Sequence, residues 1–385
     1  MAHASRENIP HPGSKRGMFH HVLATGLSFP YLCSVFSTPM QTLRIYLDRN
    51  ENNYGPAPAC YDVLRRAGLS DLSVYSKAFS RGVKSDLSER LAGYFGLPES
   101  RVLLGYGAED LLKQAIQCYL RAGEKLMVPT HSWWYYKSIA QEVDGENVEY
   151  PLVPGKDRFL YDVPAMLDIF RREHPKVVLI STPNNPTGNS LDRSDLHEVL
   201  RQMGGAMVIL DEAYVFNGPP EEPRAIVETF PNVLVVRTFS KYYALAGLRI
   251  GYALMGEEFK RLAQSTNRYL GFNRLSEQIA IAALDSQDYY ADIARKMTLD
   301  KERYYRDLGN LEGFTVYRSD ANFLLAALPR AIMDPLKNHL TSRGIIIKFM
   351  NEELLNSHIR ITIGTEEQNT LVIRAIQEFV QTSGR

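Results

Sequence analysis

From Leu47 onward the chain alternates between two textures, and that alternation bounds the fold more tightly than any other feature. Short apolar or β-branched runs stand at 101–104 (RVLL), 125–129 (KLMVP), 176–181 (KVVLIS), 206–211 (AMVILD), 233–238 (VLVVRT) and 249–254 (RIGYAL). Between several of them lie helical patterns, such as EDLLKQAIQCYLRAG with its glycine stop and DRSDLHEVLRQMGG. Strands that are apolar throughout have no face to offer water. They predict an α/β fold whose mostly parallel sheet is buried between helices. After about residue 290 a long charged helical stretch (ADIARKMTLDKERYYRDLGNL) leads into FTVYRSDANFLLAAL, GIIIKFM and HIRITIG, which predicts a smaller α+β domain. The division expected is a large domain over 96–290 and a small one made of 41–95 and 291–385.

Composition narrows the function. Lys plus Arg and Asp plus Glu both number 44, so the balance points to no nucleic-acid partner and no anionic membrane surface. Three cysteines (Cys33, Cys60 and Cys118) in no metal-ligand spacing read as free thiols of a reducing compartment, the cytoplasm, and imply no bound metal. The stretch SKRGMFHHVLATGLSFPYLCSVFSTPM loosely resembles a signal peptide, but His20, His21, Gly26, Ser28 and Pro30 interrupt it and no AxA-like site follows. It is also too broken for a membrane span. Residues 1–40 are expected to form an N-terminal arm, or an extension ahead of a start at Met18 or Met40.

Four polar segments each follow or close a predicted strand, at the end where open α/β sheets bind ligands. They are GYGAEDLL (105–112), STPNNPTGN (181–189), LDEAYVF (210–216) and TFSKYYALAGLR (238–249). Each alone has a bland reading: a turn with a helix cap, a loop, a solvated strand end, a lysine snorkelling to water. Their order and spacing together are not explained that way.

These motifs resemble fold-type I pyridoxal-phosphate enzymes of aminotransferase class I/II, and most closely the histidinol-phosphate aminotransferase group. The similarity runs from LDRNENNYGPAP (47–58) to HIRITIGT (358–365). It implies a seven-stranded, mostly parallel large-domain sheet, a smaller α+β domain and pyridoxal 5'-phosphate as cofactor. In such enzymes an amine forms a Schiff base with the cofactor aldehyde, and Lys241 is the residue in position to supply it. Asp211 would face the pyridine nitrogen and keep it protonated, while Asn185 and Tyr214 would hydrogen-bond the ring O3'. Asn184 is then a turn residue. For the phosphate, the resemblance implies the Gly107, Ala108 and Glu109 backbone at a helix start, the Thr238 and Ser240 hydroxyls, and the Arg249 guanidinium. Tyr75, in SVYSKAF, matches a tyrosine that reaches the partner subunit's phosphate, although Ser76 stands where the family usually has proline. That match implies a homodimer with shared active sites.

Two further positions depart from the family. His131, in PTHSWWYY, stands where an aromatic ring usually covers the cofactor; it either serves as a platform or handles protons. Lys348, in GIIIKFM, replaces the first of two arginines that bind the phosphorylated substrate, whereas Arg360 is retained and equally suits an α-carboxylate. Tyr54 is expected to line the same pocket, and arginines and tyrosines in TNRYLGFNR (266–274) either contact substrate or form a solvated loop.

The reading that follows is an aminotransferase, ping-pong in mechanism, between an amino acid (or a histidinol-phosphate-like amine) and a 2-oxo acid. The alternative keeps the cofactor but changes the outcome, as in a decarboxylase or an oxidase-type enzyme of specialised metabolism. A regulatory protein carrying this fold would need a DNA-binding module, and the first forty residues show no helix-turn-helix pattern.

Overall fold

The computed structural model describes residues 44–216, 218–268 and 270–383. The expected N-terminal arm over 1–40, and Cys33 with it, lies outside the described residues.

The six apolar runs form six of the seven strands of one sheet, within two residues of their expected limits; the sheet order is Val102–Gly105, Gly251–Met255, Val233–Thr238, Met207–Asp211, Val177–Ser181, Lys125–Pro129 and Glu146–Tyr150. Side chains of Val177–Ser181 and Met207–Asp211 are buried at every position, as strands covered on both faces must be. Gly251–Met255 runs antiparallel to both neighbours; the other described pairings are parallel. Two successive reversals leave Val102–Gly105 pointing the same way as Val233–Thr238. The C-terminal ends of the four motif-bearing strands therefore open on one edge of the sheet. The seventh strand, Glu146–Tyr150, was not among the apolar runs because it lies at the sheet's border, where only Tyr150 is fully covered. The helix Ala108–Tyr119 packs Leu111, Leu112, Ala115 and Ile116 against Leu103, Val236 and Ala253 of the sheet. Truncating Leu111 to alanine there would cost about 2–5 kcal/mol.

A second sheet of five strands has the order Ile45–Leu47, Ile345–Phe349, His358–Thr362, Phe323–Ala327 and Thr315–Tyr317, antiparallel except for the first pair. The helices Gln287–Gly309, Met333–Ser342 and Glu366–Ser383 pack together with it. Of the 41–95 stretch expected in this part, only Ile45–Leu47 joins the second sheet; Pro58–Arg66 and Asp86–Phe95 pack on Arg274–Leu284 instead. A hairpin, Leu152–Pro154 with Phe159–Tyr161, had no sequence signal as a pair of strands. It contributes Leu152 and Phe159 to a small apolar cluster with Tyr317, Leu325, Met350 and Leu355. Among the described residues no helix is long and apolar enough to cross a membrane.

Candidate active site

Lys241 stands three residues past Val233–Thr238, in a turn whose neighbours explain the apolar run around it. Phe239, Tyr242, Tyr243 and Leu245 are all buried, with Tyr242 and Tyr243 packed on Tyr290 at ring distances of 5.4 and 5.0 Å. Lys241 itself is only partly covered. Its Nζ donates to the Arg49 carbonyl at 2.9 Å and lies 5.6 Å from the centre of the Tyr214 ring. Ala244 and Arg249 both take positive φ (56° and 51°), a conformation that costs non-glycine residues about 1–3 kcal/mol each and that tends to mark functional turns.

Asp211 ends the strand Met207–Asp211 and is buried. Its Oδ1 accepts the Ala213 N–H at 2.9 Å and its Oδ2 accepts the Tyr136 hydroxyl. Burial pushes the Asp211 carboxyl up from its ordinary value, the two donors hold it down, and neighbouring Glu212 adds to the rise. Glu212 turns away and pairs with Arg237 at 2.7 Å, so the two acids of DEAY have separate tasks.

The turns at 105–109 and 238–251 meet at an anion cradle. Gly107 caps the helix Ala108–Tyr119 with φ of 85°, leaving the first N–H groups of the helix unused by it. A Cβ on Gly107 would meet Arg249 Nη2 at 2.6 Å, and one on Gly251 would meet the Ala108 nitrogen at 2.5 Å. Gly251 is thus required by the close approach of backbone, and Gly107 by its positive φ. Arg249 Nη1 reaches Ser240 Oγ at 3.4 Å, and Thr238 Oγ1 bonds Ser240 Oγ at 2.9 Å. Glu109 faces Arg249 at 3.7 Å, a half-exposed pair of little energetic weight.

On the opposite side stands Arg360, from His358–Thr362. Its Nη1 donates to Asn185 Oδ1 and its Nη2 to the Asp48 carbonyl at 2.7 Å, with the guanidinium 5.4 Å from the Phe323 ring centre. Burial lowers the Arg360 pKa, against the pull of Tyr214, Asp48 and Glu352. Lys348 is the direct cross-strand partner of Arg360 and is exposed. Asn184 is fully buried and donates to the His131 carbonyl and Thr187 Oγ1, both at 2.7 Å, a turn-holding role.

His131 is buried, edge-on to Phe159 at 5.9 Å. Burial lowers its pKa, Lys137 adds to the fall, and Glu149 opposes it. Tyr75 stands apart from these residues on a surface segment and is 70% exposed. Tyr54 is likewise not joined to Lys241, Tyr214 or Arg360 by any hydrogen bond or ring contact among the described residues. Asn52 and Asn53 pin its turn to the Tyr242 carbonyl (3.0 Å) and Gln368 (2.9 Å), and the ring lies 5.8 Å from Lys296 Nζ. There, burial with Asp300, Glu366 and Glu367 raises its pKa to about 12. In TNRYLGFNR, Arg268 covers the rings of Tyr106 (4.8 Å) and Phe272 (5.3 Å), and Arg274 donates to the Ser70 carbonyl at 2.8 Å.

Three residues of the site carried no distinct sequence signal. Tyr136 sits in the aromatic run after His131, Asn50 bonds Tyr214, and Glu352 lies among Lys137, Lys348 and Arg360 with its pKa raised by burial. Tyr136 and Asn50 act across 75 and 164 residues of chain, and no local pattern marks them.

Comparison with known proteins agrees with this arrangement. Residues 44–376 match the model of the family described as aminotransferase class I and II. Histidinol-phosphate aminotransferase of Roseiflexus castenholzii is 32% identical over 342 residues, covering 87% of this chain and 89% of the relative. Histidinol-phosphate aminotransferase 2 of Archaeoglobus fulgidus is 31% identical over 336 residues, 87% of this chain and 93% of its own. The solved structure of histidinol-phosphate aminotransferase from Sinorhizobium meliloti in complex with pyridoxal-5'-phosphate superposes with a TM-score of 0.78 at 25% identity, covering 88% and 91% of the two chains. Strand order, the motifs at one sheet edge and these matches lead to one assignment: the chain belongs to the class I and II aminotransferases.

Proposed function

We propose that this chain is a pyridoxal-phosphate-dependent aminotransferase, moving an amino group between an amino acid or a histidinol-phosphate-like amine and a 2-oxo acid at Lys241. The observation that carries the reading is the meeting, on one sheet edge, of a reachable lysine amine, a buried carboxylate and an anion cradle made of a helix start and Arg249.

The residues fit the cofactor. The cradle of Gly107, Ala108, Glu109, Thr238, Ser240 and Arg249 suits a phosphate, since its donors are fixed and a side chain on either close glycine would fill it. Asp211, whose charge burial disfavours, is the partner a protonated ring nitrogen would restore to its ionised state. Asn185 and Tyr214 would hold the phenolic oxygen, and His131 would lie over the ring. When bound, pyridoxal phosphate supplies an aldehyde that condenses with amines and a ring that takes up the electron pair released at the substrate α-carbon. Lys241 would anchor it and, when its amine is free, would move a proton at the substrate α-carbon. Arg360 grips the substrate carboxylate with a guanidinium that Asn185 and the Phe323 ring already orient. Lys348, the cross-strand partner of Arg360, would meet the far end of the substrate.

The same reading makes the protein a homodimer. Tyr75 is exposed on a segment that also exposes Leu69 (81%) and Leu72 (73%), an apolar surface suited to a second copy. Tyr75 would then reach the partner's phosphate. Free Cys60 and Cys118 suit a cytoplasmic setting.

The test is to load purified protein with pyridoxal phosphate, screen amino acids and histidinol phosphate for loss of the visible cofactor band, and follow 2-oxo acid formation and sedimentation. Donor-dependent bleaching reversed by a 2-oxo acid is expected, in a dimer. A protein that binds the cofactor but releases carbon dioxide or consumes oxygen would overturn the transaminase reading.

A further inference from the structure

Directly after the strand Ile45–Leu47, three consecutive residues each touch a different member of the site. The Asp48 carbonyl accepts from Arg360 Nη2 at 2.7 Å, the Arg49 carbonyl accepts from Lys241 Nζ at 2.9 Å, and Asn50 Nδ2 donates to Tyr214 Oη at 3.1 Å. Asn50 has φ of 56°, a left-handed conformation that asparagine tolerates better than most residues. It is 1% exposed, so its polar atoms must find protein partners.

Those partners determine which way its amide points. The Asn50 backbone N–H donates to Thr362 Oγ1 at 3.0 Å, and the Thr362 hydroxyl donates in turn to Asn50 Oδ1 at 3.3 Å. Asn322 Nδ2 closes the set on the Asn50 carbonyl at 3.0 Å. The opposite amide flip would leave the buried Thr362 hydroxyl proton without an acceptor among the described residues. The NH2 end therefore faces Tyr214. An N–H donated into the Tyr214 oxygen occupies a lone pair, and the phenol's own proton is left to point elsewhere.

We propose that Asn50 is a positioning residue that presets the Tyr214 hydroxyl as a donor toward an anionic oxygen in the site, the phenolic oxygen of the bound cofactor. The inference rests on the cofactor reading above. It gives the loop after Leu47 a task in the chemistry besides joining the second sheet: its amide decides the direction of a hydrogen bond inside the site.

The experiment is a pH titration of the visible absorbance of cofactor-loaded wild type, Asn50→Asp, Tyr214→Phe and the double variant. Asn50→Asp keeps the shape and the acceptor for Thr362, but replaces the NH2 donor by an oxygen that draws the Tyr214 proton to itself. An anionic oxygen that loses a donor holds a neighbouring proton more tightly, so the midpoint should rise by about one pH unit. Tyr214→Phe should raise it similarly, and the double variant should add nothing further. If Asn50→Asp does not fold, Asn50→Gly keeps the positive φ and should move the midpoint the same way by less. A Tyr214→Phe shift with no shift in the folded Asn50 variant overturns this inference alone. A wild type that gains no visible band with pyridoxal phosphate overturns the cofactor reading and this inference with it.

Discussion

The cradle at the large sheet's edge and the cluster around Arg360, proposed to bind substrate, are built in opposite ways. The cradle is local: Thr238, Ser240, Lys241 and Arg249 lie within twelve residues, and Gly107 through Glu109 continue directly from a strand. Its donors are backbone amides and short hydroxyls, held by turn geometry. The Arg360 side is assembled over long distances. That guanidinium is oriented by Asn185 and Asp48, 175 and 312 residues away in sequence, and by the Phe323 ring from the neighbouring strand. A local site is rigid and chemically fixed; a long-range site can change one contact at a time.

The comparison breaks most sharply at Lys241. Lys241→Ala should lower turnover on the order of 10⁴-fold or more, because no other side chain in the cradle supplies an amine. The fold should persist, since Lys241 makes one hydrogen bond, to the Arg49 carbonyl. A hydride-reducible link between protein and cofactor surviving in the variant would contradict the assignment.

Asp211→Asn should cost about 10²–10³-fold in turnover, by removing the charge proposed to face the ring nitrogen. Its ligand-free stability should move the other way. The folded pKa of Asp211 is raised by burial, so its favourable contribution is complete below the ordinary carboxylate value and is lost as pH rises through the folded value. Ligand-free Asp211→Asn should therefore melt above wild type at neutral pH, with the gap closing on acidification. Calorimetry from pH 4 to 8 checks this; a lower melting temperature for the variant at pH 7 would reverse the sign.

Arg360→Lys sharpens the contrast from the other side. It should raise KM for the amino acid about 10–100-fold by losing the two-pronged grip, and leave cofactor affinity within about threefold. Equal damage to both quantities would mean the two halves are not separable.

The same difference decides what could be read in advance. The motif-bearing strands and the cradle are visible in sequence because their elements are contiguous and uniformly apolar or turn-rich. The border strand Glu146–Tyr150 was not visible, since ENVEY carries charges on its solvated positions. Asn50 and Tyr136 were hidden for another reason: each is held by a partner far along the chain, and a buried asparagine or tyrosine looks like any other until its partner is known. Tyr54 shows the converse. Its motif points to the substrate, but Asn52 and Asn53 fix the turn so that its ring borders Lys296 and the Glu366–Ser383 helix.

His131→Phe should have the smallest effect. The ring is buried edge-on to Phe159, and burial with Lys137 lowers its pKa, against Glu149, so the fold favours the neutral ring. A neutral stacking ring is replaceable by phenylalanine, and turnover should stay within about tenfold, or 1.4 kcal/mol, with unchanged products. The acid limb of stability should change in a defined direction. A histidine with a depressed folded pKa contributes stability that is present above its ordinary value near 6.5 and lost as pH falls through the folded value. His131→Phe should therefore lose less stability than wild type on acidification below about pH 6.5. His358, also buried with a lowered pKa and close enough to lower it further through His131, should still account for part of the acid loss. A hundredfold fall in turnover, or a switch from amino transfer to decarboxylation or oxygen consumption, would make His131 a proton-handling group rather than a platform.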